Sequence, residues 1–232
     1  MNIYIVGIWF LVLLITTAFL SIIGNKINNR KSGVLIDERN KFSLSRFQIV
    51  IWTVVILSAY ATACIYNMWN NRPNPLSIAI PEEVWLLMGI STTALVGSSL
   101  ILSNKKGKPD KKEKDRNIIL LNKQDPNRVG KITNKKLIMV NETPQAASIF
   151  DMFRGDETGN SAQVDMSKVQ LFYFTLLLVL AYIVALASLL ASDAGKITEF
   201  PQFDLSMITL LGFSNAGYLT YKGANHSMKQ GE

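Results

Sequence analysis

The chain has 232 residues, 49% of them hydrophobic, a net charge of +7, one cysteine and one histidine. A single cysteine, Cys64, excludes an internal disulfide and a cysteine-built zinc site, and any Ser-His or Cys-His pair could draw only on His226, which has no partner motif and reads as a solvated tail residue. In a soluble protein the positive charge would point to nucleic acid. Here the apolar residues form long runs and the cations flank them, so membrane topology and anionic lipid headgroups account for the charge and no nucleic acid is expected.

Taken in chain order, five apolar runs are long enough for a hydrocarbon core, which needs about 20 mostly apolar residues per helix. They cover about 3–23, 47–68, 84–102, 169–190 and 205–221, the last being the shortest. The first has no basic residues before it and several after it (Lys26, Arg30, Lys31), so it reads as a retained anchor rather than a cleaved signal. Lys and Arg number six in residues 24–46, fourteen in 104–168 and two after Tyr221, against Arg72 and Lys196 alone in the loops 70–83 and 192–204. The positive-inside rule therefore places the N-terminus outside, the basic loops and C-terminus in the cytoplasm, and the acidic short loops (Glu82, Glu83, Asp193, Glu199, Asp204) outside.

The second and fourth runs open on Ser45-Arg46-Phe47-Gln48 and Ser167-Lys168-Val169-Gln170, and Thr53 and Tyr60 match Thr175 and Tyr182 at the same offset of 122. Leu87-Met88-Gly89-Ile90-Ser91 matches Leu210-Leu211-Gly212-Phe213-Ser214 at an offset of 123, and Pro81 and Pro201 precede the return helices. The expected fold is all-α transmembrane, with five helices: one anchor helix and two parallel-repeated helical hairpins, plus a small cytoplasmic insertion. Four segments follow: 1–46, anchor and basic segment; 47–103, first hairpin; 104–167, insertion; 168–232, second hairpin and tail.

At the boundary Arg46 and Lys168 are placed to snorkel to phosphates, with Gln48 and Gln170 just inside, where a buried amide needs a neighbouring helix as partner. Gly89, Thr93 and Gly97 share one helix face, as do Gly212 and Ala216; small residues at that spacing let backbones approach, within the bundle or between subunits. Thr92, Thr93, Ser98, Ser99, Ser214 and Asn215 could line a pore or make ordinary interhelical bonds. No ionisable residue falls inside the core of a run, which disfavours coupled transporters, proton relays and voltage sensors.

The insertion begins with a Lys-rich linker, 104–116. Two strand-like runs, 117–121 and 136–140, are separated by turn signals (Asp125-Pro126-Asn127, Val129-Gly130-Lys131) and predict a hairpin. Ala146 to Arg154 predicts a short interfacial amphipathic helix through Ile149, Phe150 and Phe153. The acids of Gly155-Asp156-Glu157-Thr158-Gly159-Asn160 do not have EF-hand spacing, and no Walker A, G-x-S-x-G, H-E-x-x-H or C-x-x-C pattern occurs, so neither metal, cofactor nor catalytic residue is expected.

Gly33-Val34-Leu35-Ile36-Asp37-Glu38-Arg39-Asn40 running into Ser43-Leu44-Ser45-Arg46-Phe47-Gln48 and Trp52-Thr53, then Ile149-Phe150-Asp151-Met152-Phe153-Arg154-Gly155-Asp156-Glu157 and Leu211-Gly212-Phe213-Ser214-Asn215-Ala216-Gly217-Tyr218-Leu219, resemble a group of bacterial multi-pass membrane proteins with no established activity. The resemblance covers most of the chain outside the Lys-rich linker and implies a bacterial inner-membrane location, with nothing about mechanism. Arg39, Asp151 and Arg154, polar residues within those matches, are expected to form a cytoplasmic collar of ion pairs beneath the helices, with Arg46 alongside. The functional expectation is a non-enzymatic membrane component, a scaffold, anchor or sensor that assembles as a homo-oligomer or with a membrane partner; the alternative is an oligomeric passive or gated channel, and less so a transporter.

Overall fold

A computed structural model describes residues 3–105, 110–124, 132–135, 137–192 and 196–227. In chain order the elements are α1 (Ile3–Asn28), α2 (Leu44–Trp69), α3 (Glu82–Asn104), α4 (Lys111–Gln124), β1 (Ile132–Lys135), β2 (Ile138–Asn141), α5 (Met166–Ala191) and α6 (Leu205–Gly223), with short 3₁₀ turns at Gly33–Leu35, Pro144–Ala146 and Ile149–Phe153. The helix ends follow from local chemistry. Ser43, Asp165 and Asp204 cap α2, α5 and α6 by accepting from backbone N–H groups of the first turn. Asn29 and Asn71, just past the ends of α1 and α2, take the left-handed conformation (φ 49° and 52°) that asparagine tolerates better than most residues.

Among the described residues four helices, α1, α2, α3 and α5, are long and apolar enough to cross a membrane. The expected fifth run does form a helix, α6, but its Ser, Thr, Asn215 and Lys222 leave it outside that set. α2, α3, α6 and α5 pack in a ring, each against the next, and α1 lies in the angle between α2 and α5. The core is filled by Trp52, Ile56, Leu87, Leu171, Leu186, Leu190, Leu211 and Tyr182, all within 2% exposure.

At one end the two short connections fold into the bundle. Asn67 in α2 holds the backbone of Ile197 twice: its Nδ2 donates to the Ile197 carbonyl (2.7 Å) and its Oδ1 accepts from the Ile197 N–H (2.9 Å). Phe200 then meets Tyr60 (centroids 6.4 Å), and Phe203 meets Trp52 (6.0 Å) and stacks on Tyr182 (4.6 Å). From Asn67 to Trp52 the helix descends about 22 Å at 1.5 Å per residue, and from 197 to 203 an extended chain covers about 20 Å, so the loop runs straight down beside α2. Ala79 of the other connection donates to Thr198 (2.7 Å) and accepts from Phe200 (3.0 Å), so the two loops satisfy one another as a parallel bridge.

At the opposite end the insertion is folded. The hairpin exists but is built differently from the sequence expectation: β2 pairs with β1, and 117–121 lies in α4. The proposed turn residues 125–131 are outside the described residues. A short apolar run cannot be told from a helical face by periodicity alone; here the charged residues preceding it extend α4, which buries Asn117 and Leu121 and leaves Ile119 exposed. The segment 146–154 forms no α-helix; the 3₁₀ turn Ile149–Phe153, closed by a Ser148–Asp151 capping box, leaves Ile149 and Phe150 exposed and seats Phe153 edge-on against Phe172 (5.0 Å).

Candidate functional site

The residues that join the insertion to the bundle converge on Asp156. The turn carrying it is fixed from three sides: Gly155 N–H donates to Gln163 O (3.2 Å), Met139 N–H to Asp156 O (3.1 Å) and Glu157 N–H to Asn160 Oδ1 (3.0 Å). Its carboxylate accepts from Arg39 (2.6 Å) and Lys168 (2.9 Å) on Oδ1 and pairs with Lys222 (2.9 Å) on Oδ2. Arg39 comes from the segment before α2, Lys168 from the first turn of α5 and Lys222 from the last turn of α6, so one carboxylate ties four parts of the chain together. Arg39 also grips Asp37 (2.6 Å), and Lys168 Nζ donates to the Arg154 carbonyl (2.6 Å). All four partners of this network are buried.

Burial alone would raise the Asp156 carboxyl, yet the three cations hold it well below the usual carboxylate range. Asp37 is likewise lowered, its burial outweighed by Arg39, and Arg39 is raised against its own burial by Asp156 and Asp37. Lys41, 5% exposed, lies beside the cluster, and burial brings it down to about 8, opposed by Asp151 and reinforced by Arg39. A second ion pair, Lys105 with Glu157, binds the end of α3 to the same turn, and Glu157 also accepts from the His226 N–H (3.0 Å).

From Lys222 a buried polar file enters the bundle. Lys222 Nζ donates to Tyr218 OH (2.9 Å), Tyr218 donates to Ser98 Oγ (3.2 Å), and Ser45 Oγ lies 3.3 Å from the same phenol. Gln48 Nε2 donates to Thr175 Oγ1 (2.7 Å) between α2 and α5. Gln48 Oε1, Trp52 Nε1, Tyr182 OH and Ser214 Oγ are buried in the bundle without a partner among the described residues.

The expected helix-packing residues separate into two environments. Gly97 lies against Leu219, where a methyl group would come within 3.2 Å, and Gly212 lies against Ile90. A methyl on Gly89 would meet nothing, because Gly89, Thr93, Gly212, Asn215 and Ala216 line an open groove of about 680 Å³ between α3 and α6. Asn215 is 5% exposed and its Oδ1 has no partner among the described residues.

Gln48 is fully buried as expected of a bonded amide, whereas its sequence counterpart Gln170 is exposed. Arg46 is half-buried, but Lys168 does not reach toward a headgroup: it is 3% exposed and committed to Asp156. Of the residues expected in a collar, Arg39 pairs with Asp37 and Asp156, Asp151 lies near Lys41, and Arg154 gives its backbone carbonyl to Lys168; the ion pairs centre on Asp156. His226 is not a free tail residue, since its ring packs on Tyr221 (4.4 Å) and Ser227 is bonded to Thr158 and Gly159. In the sequence Asp156 is one acid of a turn and Lys222 a tail charge; a lysine ending an apolar helix opposite a buried acid leaves no periodic signal.

The described residues form a mostly helical protein, four of whose helices are long and apolar enough to cross a membrane. Comparison with protein-family models, curated proteins and solved structures finds no match for the chain.

Proposed function

We propose that the chain is a non-enzymatic, five-span integral membrane protein that assembles with itself, serving as a scaffold, anchor or sensor component whose insertion is a fixed platform over the helix ends. The observation that carries this reading is the α3–α6 groove, lined by small residues, open over Gly89 and flanked by the unpartnered amide oxygen of Asn215. Helices associate in lipid through close backbone approach and interhelical hydrogen bonds, and this groove offers both to a second helix. The distribution of Lys and Arg supports a bacterial inner-membrane orientation with the insertion and C-terminus in the cytoplasm, against anionic headgroups, and the N-terminus outside. The parallel hairpin repeat draws support from the caps Ser43 and Asp165, which share the offset of 122, and from the pairing of the two outer loops.

Native mass spectrometry in mild detergent is expected to give a discrete closed oligomer that Gly89→Leu combined with Asn215→Leu reduces to single subunits. A lone wild-type subunit would end the self-assembly reading. The buried file of Ser45, Gln48, Ser98, Thr175, Ser214 and Tyr218 favours a second reading, a gated channel, which predicts ion flux in liposomes that Ser214→Leu abolishes.

A further inference from the structure

We infer that the crevice between α1 and α2 is a binding site for one anionic phospholipid, its acyl chain lying between the helices and its phosphate at Lys31 and Ser32. The crevice exists because α1 touches the bundle at two separated levels. Near its start, Trp9 is 2% exposed and its Nε1 donates to Ser58 Oγ (3.0 Å). Near its end, Gly24 is pressed against Gly33, with no room for a side chain on either. Fifteen residues separate Trp9 from Gly24, about 22 Å of helix. Between those pins the helices part around a space of about 540 Å³, walled by Leu13, Leu20, Val50, Ile51, Val54 and Ile183.

The walls ask for hydrocarbon. Thr17 and Ser21 are the polar side chains along them, and the Thr17 hydroxyl already donates to the Leu13 carbonyl (2.8 Å). A space of this kind between two membrane-crossing helices holds no water stably, because water needs two or more polar partners. The end of the crevice has the opposite chemistry. Lys31 and Ser32 line it there; Lys31 is exposed and makes no ion pair among the described residues, and the Ser32 hydroxyl makes no capping bond although Ser32 begins the turn Gly33–Leu35. An apolar slot with an ammonium and a hydroxyl at its boundary fits an amphiphile that joins an acyl chain to an anionic head, and basic pockets between spanning helices are established sites for such lipids. A zwitterionic head would bring its own cation beside Lys31, so charge selects the anionic lipid.

The test uses the full-length protein in mild detergent, exchanged with an equal mixture of phosphatidylglycerol and phosphatidylcholine, with retained lipid read by native mass spectrometry. Retention is expected to favour phosphatidylglycerol about five-fold, the equivalent of about 1 kcal/mol. Lys31→Glu is expected to abolish the preference, and Val54→Trp, which fills the slot, to retain neither lipid. Phosphatidylglycerol is expected to raise the melting temperature where glycerol phosphate alone does not. Equal retention of the two lipids, a preference that survives Lys31→Glu, wild-type retention by Val54→Trp, or stabilisation by glycerol phosphate would each overturn the assignment. Lys31→Glu alters an exposed side chain, so it decides the matter even where the larger substitution disturbs folding.

Discussion

Asp156 is a single buried carboxylate facing three cations, and that ratio makes it the residue whose loss costs most. A buried ion pair adds little over well-packed apolar side chains, because desolvation offsets attraction, but removing one partner leaves the others charged and unpaired. Asp156→Asn leaves Lys168 and Lys222 buried without a carboxylate and Arg39 with Asp37 alone. The expected loss is about 3–5 kcal/mol, read by denaturant unfolding in detergent, and a loss below about 1 kcal/mol would show that solvent reaches the cluster. Lys41 has the opposite sign. Its folded-state value, about 8, lies below the 10.5 of an exposed lysine, so the folded state holds that proton less tightly. The penalty is complete below pH 8 and is relieved as pH rises from about 8 toward 10.5, where the unfolded chain alone remains protonated. Lys41→Met should therefore be more stable than the native protein at pH 7, by up to about 3 kcal/mol, with the difference shrinking above pH 8. Unchanged stability across that range would mean that Asp151 fully compensates the buried ammonium.

At the scale of elements, what was legible in the sequence is what the solvent imposes. The five apolar runs became α1, α2, α3, α5 and α6 with ends displaced by a few residues, because hydrophobic runs and capping residues such as Ser43 and Asp165 act locally. The insertion carries a weaker signal. Ile118–Leu121 is too short a run to declare its period, and what decides it is the preceding charged turn of α4 together with the burial of Leu121. The descending loop 196–204 has no sequence signature beyond Pro201, since its partners Asn67, Tyr60 and Trp52 lie 130 or more residues away. That loop rests on one side chain for its entry. Asn67→Leu removes both bonds to Ile197 and leaves its backbone N–H and C=O unpaired in a buried place, at about 1–3 kcal/mol. A cysteine at Thr198 in this variant is expected to react with a water-soluble thiol reagent at least several-fold faster than in the parent protein; equal rates would show that the parallel bridge through Ala79 holds the loop by itself.

Across the whole molecule, the insertion end behaves as one layer assembled from distant pieces of chain. Asn40 and Asn141 exchange side-chain amide bonds with one another's backbone carbonyls (2.9 and 2.8 Å), Arg30 donates to Ala147 O (2.7 Å), and Asp110 N–H donates to Ser227 O (3.0 Å). The segment after α6 is the last strap on this layer: Ser227 is 1% exposed and bonds Thr158 (3.2 Å) and the Gly159 N–H (2.9 Å). Gly159 is small because His226 runs across it; a methyl group there would overlap the His226 carbonyl. Gly159→Ala should therefore lift the 225–227 strap without touching the Asp156 cluster, whose partners approach from Arg39, Lys168 and Lys222. The expected outcome is new protease sensitivity in residues 157–165 and beyond Ala224, with the helical melting transition within about 1 kcal/mol of the parent, as for local opening of a weakly held segment. Loss of the helical transition along with the strap would show instead that the layer and the bundle unfold as one cooperative unit, and that the platform over the helix ends is part of the bundle's own core.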